Sequence, residues 1–429
     1  MTQAPTVTPE TGPPVTPTMV TVVDRKAPVV LGILTLGMAV ILGFAARAGD
    51  TTFRLGTSRD FFQLPEVTVP ATPTAWIFVA VMAALTAWSW VLYSRRRPTT
   101  IWLVIAFAVA AMGAFLTWAA TGSTMPVVGL FAGAVALAVP LVFGAMSGVI
   151  GERAGVVNIA IDGQLLAGAF AAAVVGSMTG SLWAGVIAAS VAGLLVGLLL
   201  GLFAITYVVD QIIVGVVLNV LVIGLTSFLF STVLAPNSAS LNSPPRFTSV
   251  PIPLLADIPL IGPVLFRQTL IVYLMYVVVA LVAWALYRSR WGLRLRSVGE
   301  HPQAADTVGI RVNVTRYRAV LLAGAIAGLG GAFYTLVSVP QFNREMTGGA
   351  GYIALAAVIF GKWDPIRATL AALLFGFAST LQGTLSAIGS PVPSQFMLML
   401  PYVVTIFAVA GLVGRSRPPA ADGKAYVKA

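Results

Sequence analysis

Long apolar runs separated by short polar stretches fill most of this chain. They cover Pro28–Ala46, Thr74–Tyr93, Ile101–Ala120, Val127–Ser147, Ile159–Ser177, Leu182–Val209, Ile212–Leu234, Thr269–Tyr287, Ala319–Val339, Tyr352–Gly361, Ile366–Ile388 and Gln395–Val413. About 20 apolar residues carry a helix across a bilayer. The pattern therefore predicts an all-α fold, a polytopic transmembrane helical bundle of about 12 apolar segments with 10–12 true spans. Tyr352–Gly361 is the exception in length. A helix of that length reaches about 15 Å, half of the hydrocarbon core, so it is expected to be half of a broken helix or a re-entrant piece.

Composition agrees with a lipid solvent. Of the 429 residues, 58% are hydrophobic and only 9% charged, against roughly 25% charged in a soluble domain. The net charge of +11 raises nucleic acid as a partner. Basic loops beside anionic lipid explain it better, so no nucleic acid is expected. The chain has no cysteine and one histidine, His301. That excludes disulfides and thiolate chemistry, and no metal site and no cofactor are expected.

Charge asymmetry gives an orientation. With the N-terminus inside and twelve crossings, 19 of the 25 basic residues fall in inside loops and 6 in outside loops. Both termini are therefore expected in the cytoplasm. The two long outside loops are then Arg47–Pro73 and Ala235–Gln268. Residues Met1–Ala27 are rich in Thr and Pro without an apolar period, and read as a disordered tail. Arg25 and Lys26 before Pro28–Ala46 resemble a signal peptide. The run is too long for an h-region, which favours an uncleaved first helix.

Three stretches depart from plain spans. Gly151–Gly163 places Glu152, Arg153, Asn158 and Asp162 between two apolar segments. Ionisable groups there are costly and usually face a bundle interior or water. The ordinary alternative is a solvated turn. Arg288–Arg318 is the longest loop between spans, and Pro302 with Gln303–Val308 reads as a short helix ended by Gly309. It is either a basic loop on anionic headgroups or a docking helix for a cytoplasmic partner. Gly348–Pro365 holds a glycine cluster that includes Gly349 and Gly351, a half-length helix, and then Lys362-Trp363-Asp364-Pro365. Irregular backbone at membrane depth survives only where it is buried in protein or lines a cavity, and a pair of interrupted segments points to a transport path.

Together these stretches resemble a known family. Glu152–Gly163 looks like the ERxGVxNIxxEG signature of bacterial nucleoside and simple-sugar ABC importer permeases, with Asp162 where Glu is frequent. Arg296–Ile310 resembles the RAVGENPxAAxxxGI loop, departing at Ser297 and His301. Tyr352–Pro365 resembles IALAAVIFGKWNP, with Asp364 for Asn. The resemblance covers about Val127–Val413, two thirds of the chain.

The resemblance implies a type II ABC importer-like core in a bacterial inner or plasma membrane. It implies an ATP-driven importer in which this chain is the permease. Its partners would be a second permease subunit, an ABC ATPase and an extracytoplasmic solute-binding lipoprotein. Arg296, Gly299, Glu300, Pro302, Ala304, Ala305 and Gly309 would form the ATPase-coupling loop. Glu152, Arg153, Asn158, Asp162, Gly163, Gly349, Gly351, Lys362 and Asp364 are broken-helix or translocation-path candidates. The chain has no Walker A sequence, so ATP hydrolysis would belong to another subunit and this chain would not be an enzyme. Nucleosides, then simple sugars, are the implied solutes. Asn158, Gln211, Asn219, Tyr334, Gln341 and Gln382 lie in or beside spans and could meet hydroxyls. The expected organisation is a tail at 1–27, accessory transmembrane helices at 28–120, the permease core at 127–413 and a cytoplasmic tail at 414–429. The competing reading is an ion-coupled secondary transporter, for which Asp162 and Asp210 are the acids near span ends.

Overall fold

Lipid-facing leucine, isoleucine and valine leave the backbone no partner but itself, so each apolar run closes its hydrogen bonds as a helix. The structure, a computed structural model, describes residues 25–390, 392–393, 395–396, 399 and 417–428. Among them, 10 helices of 19 to 27 residues are long and apolar enough to cross a membrane. The helices are α1 (Lys26–Phe44), α2 (Ala71–Ser94), α3 (Ile101–Ala119), α4 (Val127–Arg153), α5 (Ile161–Thr179), α6 (Leu182–Gly201), α7 (Gln211–Leu229), α8 (Ser238–Leu241), α9 (Leu270–Arg288), α10 (Arg290–Glu300), α11 (Pro302–Thr307), α12 (Val312–Phe333), α13 (Ala350–Phe360) and α14 (Pro365–Ala387). The last apolar run, Gln395–Val413, lies outside the described residues except at Gln395, Phe396 and Met399. Most of the N-terminal stretch Met1–Ala27 lies outside them as well.

Two refinements concern the polar stretches. Arg288–Arg318 is not one loop around a short helix. It holds an additional helix, α10, and its last residues already belong to α12. Ser289 caps α10 by accepting from the Gly292 N–H. The connections between helices also carry five short strands: β1 (Asp50–Arg54), β2 (Val67–Pro70), β3 (Thr124–Pro126), β4 (Ser249–Pro251) and β5 (Arg267–Thr269). Strand β1 pairs in parallel with β3, Thr52 opposite Thr124, and β4 pairs antiparallel with β5.

The described residues form two compact units. The first comprises those within 1–49 and 70–118, and the second those within 50–69 and 119–429. In the first, α1, α2 and α3 pack through Leu31, Met38, Val79, Met82 and Phe107. The Thr35 and Thr86 hydroxyls share a hydrogen bond of 3.1 Å there.

In the second unit, α4 is central, with Val139, Phe143, Met146 and Ile150 inaccessible to solvent. Helices α6 and α12 cross at a stripe without side chains: a Cβ on Gly193, Gly324 or Gly328 would overlap the backbone of the opposite helix. Small residues permit such approach where no hydrophobic drive separates helix from lipid. Arg267 ties the long loops together, 3.0 Å from Asp257 and 3.9 Å from Asp60. Both loops thus gather at one end of α9. Helices α10 and α11 follow the other end, about 28 Å away along 19 residues.

Candidate functional site

The two interrupted stretches lie side by side. Helix α4 ends at Arg153, and residues 154–160 are not helical before α5 begins at Ile161. Helix α13 has 11 residues and is therefore about 16 Å long. Its start is pinned to Asp162 and the turn after its end to Glu152 and Arg153, so the two segments run antiparallel. Seven extended residues reach up to about 23 Å, enough for 154–160 to follow the whole length of α13. Neither stretch is a plain surface turn.

At the α13 start, Gly349 adopts φ +80° as the N-cap residue, a conformation that glycine tolerates. The Gly351 N–H donates to Asp162 Oδ1 at 2.9 Å, and the Thr347 hydroxyl to Oδ2 at 3.3 Å. A Cβ on Gly351 would overlap the Asp162 backbone, so only glycine fits this approach. Asn219 on α7 closes the arrangement. Its Oδ1 accepts from the Gly163 N–H at 2.7 Å, and its Nδ2 donates to Ile159 O and to the Tyr352 hydroxyl.

At the α13 end, Gly361 leads into Lys362 and Trp363, both with φ +55°. Two successive non-glycine residues in the left-handed region are costly and persist only where the surroundings over-determine them. Here they do. Arg153 Nε donates to Trp363 O at 3.0 Å and its Nη2 to Lys362 O at 3.5 Å. The Trp363 indole N–H donates to Glu152 Oε2. Asp364 then caps α14 by accepting from the Arg367 N–H at 2.9 Å, and its other oxygen accepts from the Tyr287 hydroxyl at 3.0 Å.

Between the two pins lies a sealed polar cluster. Asn158 Nδ2 donates to Ser147 Oγ and to Gln164 Oε1, both at 3.0 Å, and all three residues are inaccessible to solvent. Gln211 accepts from the Val157 N–H at 2.8 Å. Asp210 caps α7 through the Ile212 and Ile213 N–H groups.

The structure thus brings together Glu152, Arg153, Asn158, Asp162, Gly163, Gly349, Gly351, Lys362 and Asp364. Most of their hydrogen bonds go to neighbouring protein groups, while Glu152 Oε1 has no partner among the described residues. Glu152, Asn158 and Asp162 are 3%, 0% and 3% exposed, so in this conformation they hold segments together and present no open face to a solute. Gln341 is exposed, Gln382 is half-buried, and half-buried Tyr334 lies near enough to Asp162 to interact with it electrostatically. Sequence does not single out Ser147, Gln164 or Thr347, and it marks Trp363 only as part of the stop after the half-length helix. Ser147 and Gln164 are polar positions within apolar runs, which was the available signal.

The coupling-loop candidates occupy one short stretch. Arg296 stacks over the Tyr287 ring at 5.3 Å. A Cβ on Gly299 would overlap the Arg153 carbonyl, so α10 lies directly against the end of α4. Pro302 opens α11, Ala304 is exposed, Ala305 is buried, and Gly309 follows with φ +83°.

The chain is similar to known membrane transport components. Residues 130–409 match the family model described as "Branched-chain amino acid transport system / permease component". The guanosine ABC transporter permease protein NupQ of Bacillus subtilis is 39% identical over 300 residues, 68% of this chain and 94% of its own. The nucleoside ABC transporter permease protein NupC of Lactococcus lactis is 38% identical over 299 residues, 67% of this chain and 93% of its own. A putative glucose ABC transporter permease protein of Haloferax volcanii is 34% identical over 59% of this chain and 77% of its own. No solved structure matches. The chain is a multi-pass membrane protein and belongs to the family of permease components of branched-chain amino acid transport systems.

Proposed function

We propose that this chain is the permease subunit of an ATP-driven nucleoside importer in a bacterial plasma membrane. The observation that carries the reading is the identity of 39% and 38% to permeases named for guanosine and nucleosides, across 94% and 93% of their lengths. Simple sugars stand second, supported by the more distant glucose permease. A second permease, an ABC ATPase and an extracytoplasmic binding lipoprotein complete the machine, and both termini face the cytoplasm with α10 and α11.

The site supports the same reading. Two half-interrupted segments pinned at both ends form an element with discrete contacts to make and break. A ligand shifts such an element only through differential contacts with its two states. Arg296, Gly299, Glu300, Pro302, Ala304, Ala305 and Gly309 receive the ATPase, and the α4–α10 contact at Gly299 passes its movement inward. Helices α1 to α3 are accessory to this core.

Uptake of labelled guanosine by cells with and without the gene tests the substrate. Loss of guanosine uptake on deletion, restored by the chain, is expected. Unchanged nucleoside uptake with lost sugar uptake overturns it. Uptake by the purified single chain in liposomes under a proton or sodium gradient would establish the ion-coupled alternative.

A further inference from the structure

The last described residues, 417–428, are seated on the coupling stretch. The Ala421 N–H donates to Gly299 O at 2.8 Å, and the Ala420 N–H to the Glu300 carboxylate at 3.2 Å. Lys424 O accepts from Arg316 Nη1 at 2.8 Å. Lys428 reaches Asp306 of α11 at 3.9 Å. Tyr426, 8% exposed, packs with Val298, Ala305 and Val312, one residue from each of α10, α11 and α12.

The same segment also touches the signature turn. A Cβ on Gly155 would stand 3.0 Å from Ala421 O and 2.9 Å from Arg316 Nη2. Gly423 faces Val157. Asp422 interacts electrostatically with Glu152 and with Arg316. Arg316 is 1% exposed, and its Nε and Nη2 have no hydrogen-bond partner among the described residues. A guanidinium placed so deep needs polar compensation close by: Lys424 O accepts from its Nη1, and the Asp422 carboxyl interacts with it electrostatically.

We propose that residues Pro418–Lys428 are a working part of the coupling element. They fasten α10 and α11 to the Glu152–Val157 turn, so that movement imposed on the helices reaches the interrupted segments. This inference rests on the proposed ATPase-docking role of Arg296–Ile310. Gly299 lies against both Arg153 and Gly155, and α10 and α11 touch α12 through Val298, Ala305 and Val312. The C-terminal segment spans these contacts, bridges α10, α11 and α12 to residues 155–157 a second time, and makes a clamp of them. Such a clamp contributes to coupling and not to docking, because the exposed Ala304 stays clear of it.

The test uses the complete importer in liposomes, with ATPase association, ATP hydrolysis and nucleoside uptake measured together. Four forms are compared: the full chain, a chain ending at Arg417, Tyr426→Ala, and Ala304→Arg. For the shortened chain and Tyr426→Ala, retained ATPase association with uptake per ATP reduced roughly two- to thirtyfold is expected. Tyr426→Ala keeps the test open if the shortened chain fails to assemble. Unchanged uptake per ATP in Tyr426→Ala, while Ala304→Arg abolishes ATPase association, overturns the clamp and leaves the docking role standing. Loss of ATPase association in Tyr426→Ala also overturns it, because the segment is then a docking surface. Unimpaired association and transport in Ala304→Arg removes the docking reading on which the clamp rests.

Discussion

The Trp363 indole N–H donates to the Glu152 carboxylate across 211 positions of sequence. It locks the left-handed turn after α13 onto the end of α4. Glu152 is buried and its Oε1 has no hydrogen-bond partner among the described residues, so removing the donor leaves the whole carboxyl group unsatisfied, at a cost of about 1–3 kcal/mol. Trp363→Phe keeps the ring and deletes the donor. The solubilised chain is expected to melt at lower temperature than the parent, and Glu152→Gln is expected to be non-additive with it. Additive losses in a double-mutant cycle would show that the two side chains do not act together.

Gly351 is expected to resist any enlargement. A Cβ there would overlap the Asp162 backbone, so Gly351→Ala is expected to cost about 1–3 kcal/mol through overpacking and to abolish transport. Gly224 on α7 is the control, since a Cβ there meets nothing within 4 Å. Gly224→Ala is expected to leave thermal stability and transport intact. Equal behaviour of the two variants would remove the close approach of α13 to α5.

Asp364 separates capping from charge. Asp364→Asn still accepts from the Arg367 N–H and is expected to retain transport. Asp364→Ala loses the cap, worth about 1 kcal/mol, together with the Tyr287 contact. A thermal unfolding series of the two variants checks the order, parent and Asn above Ala.

Asp422 makes the seating of the C-terminal segment sensitive to pH. Burial raises its carboxyl above the ordinary carboxylate range, opposed by the Gly423 N–H and the Arg316 guanidinium. Glu152 and Arg316 are the charged groups facing it. The seated form therefore keeps its proton over a window in which the released form has lost it. Seating is firmest at acid pH and weakens as pH rises above about 4 through the raised value. A spin label at Val427→Cys, in a chain with no other cysteine, is expected to become more mobile across that window. Asp422→Asn is expected to flatten the profile. A label whose mobility does not change with pH in the parent contradicts the assignment.

The sequence exposes the interruptions at Gly151–Gly163 and Gly348–Pro365 because charge and glycine break apolar runs, and such breaks are local. It also signals α11, through Pro302 at its start and Gly309 beyond its end. It hides α10, because Arg290–Glu300 carries too few apolar residues to stand out from a basic loop. The pairing of the two interruptions is equally hidden. Contacts such as Asp162 with Gly351 and Glu152 with Trp363 join residues 189 and 211 positions apart, and neither residue type announces its partner. The place of the C-terminal segment depends on Gly155 having no side chain, a meaning visible only once the chain is folded.

The bare crossing of α6 and α12 sets where motion can occur. With Gly193 against Gly324 and Gly328, backbone lies on backbone. Neither helix has side chains there that could re-pack to let the other slide. The pair behaves as a keel. Conformational change must then be carried by elements outside that crossing, and α13, which packs on α4, α5 and α14, is one of them.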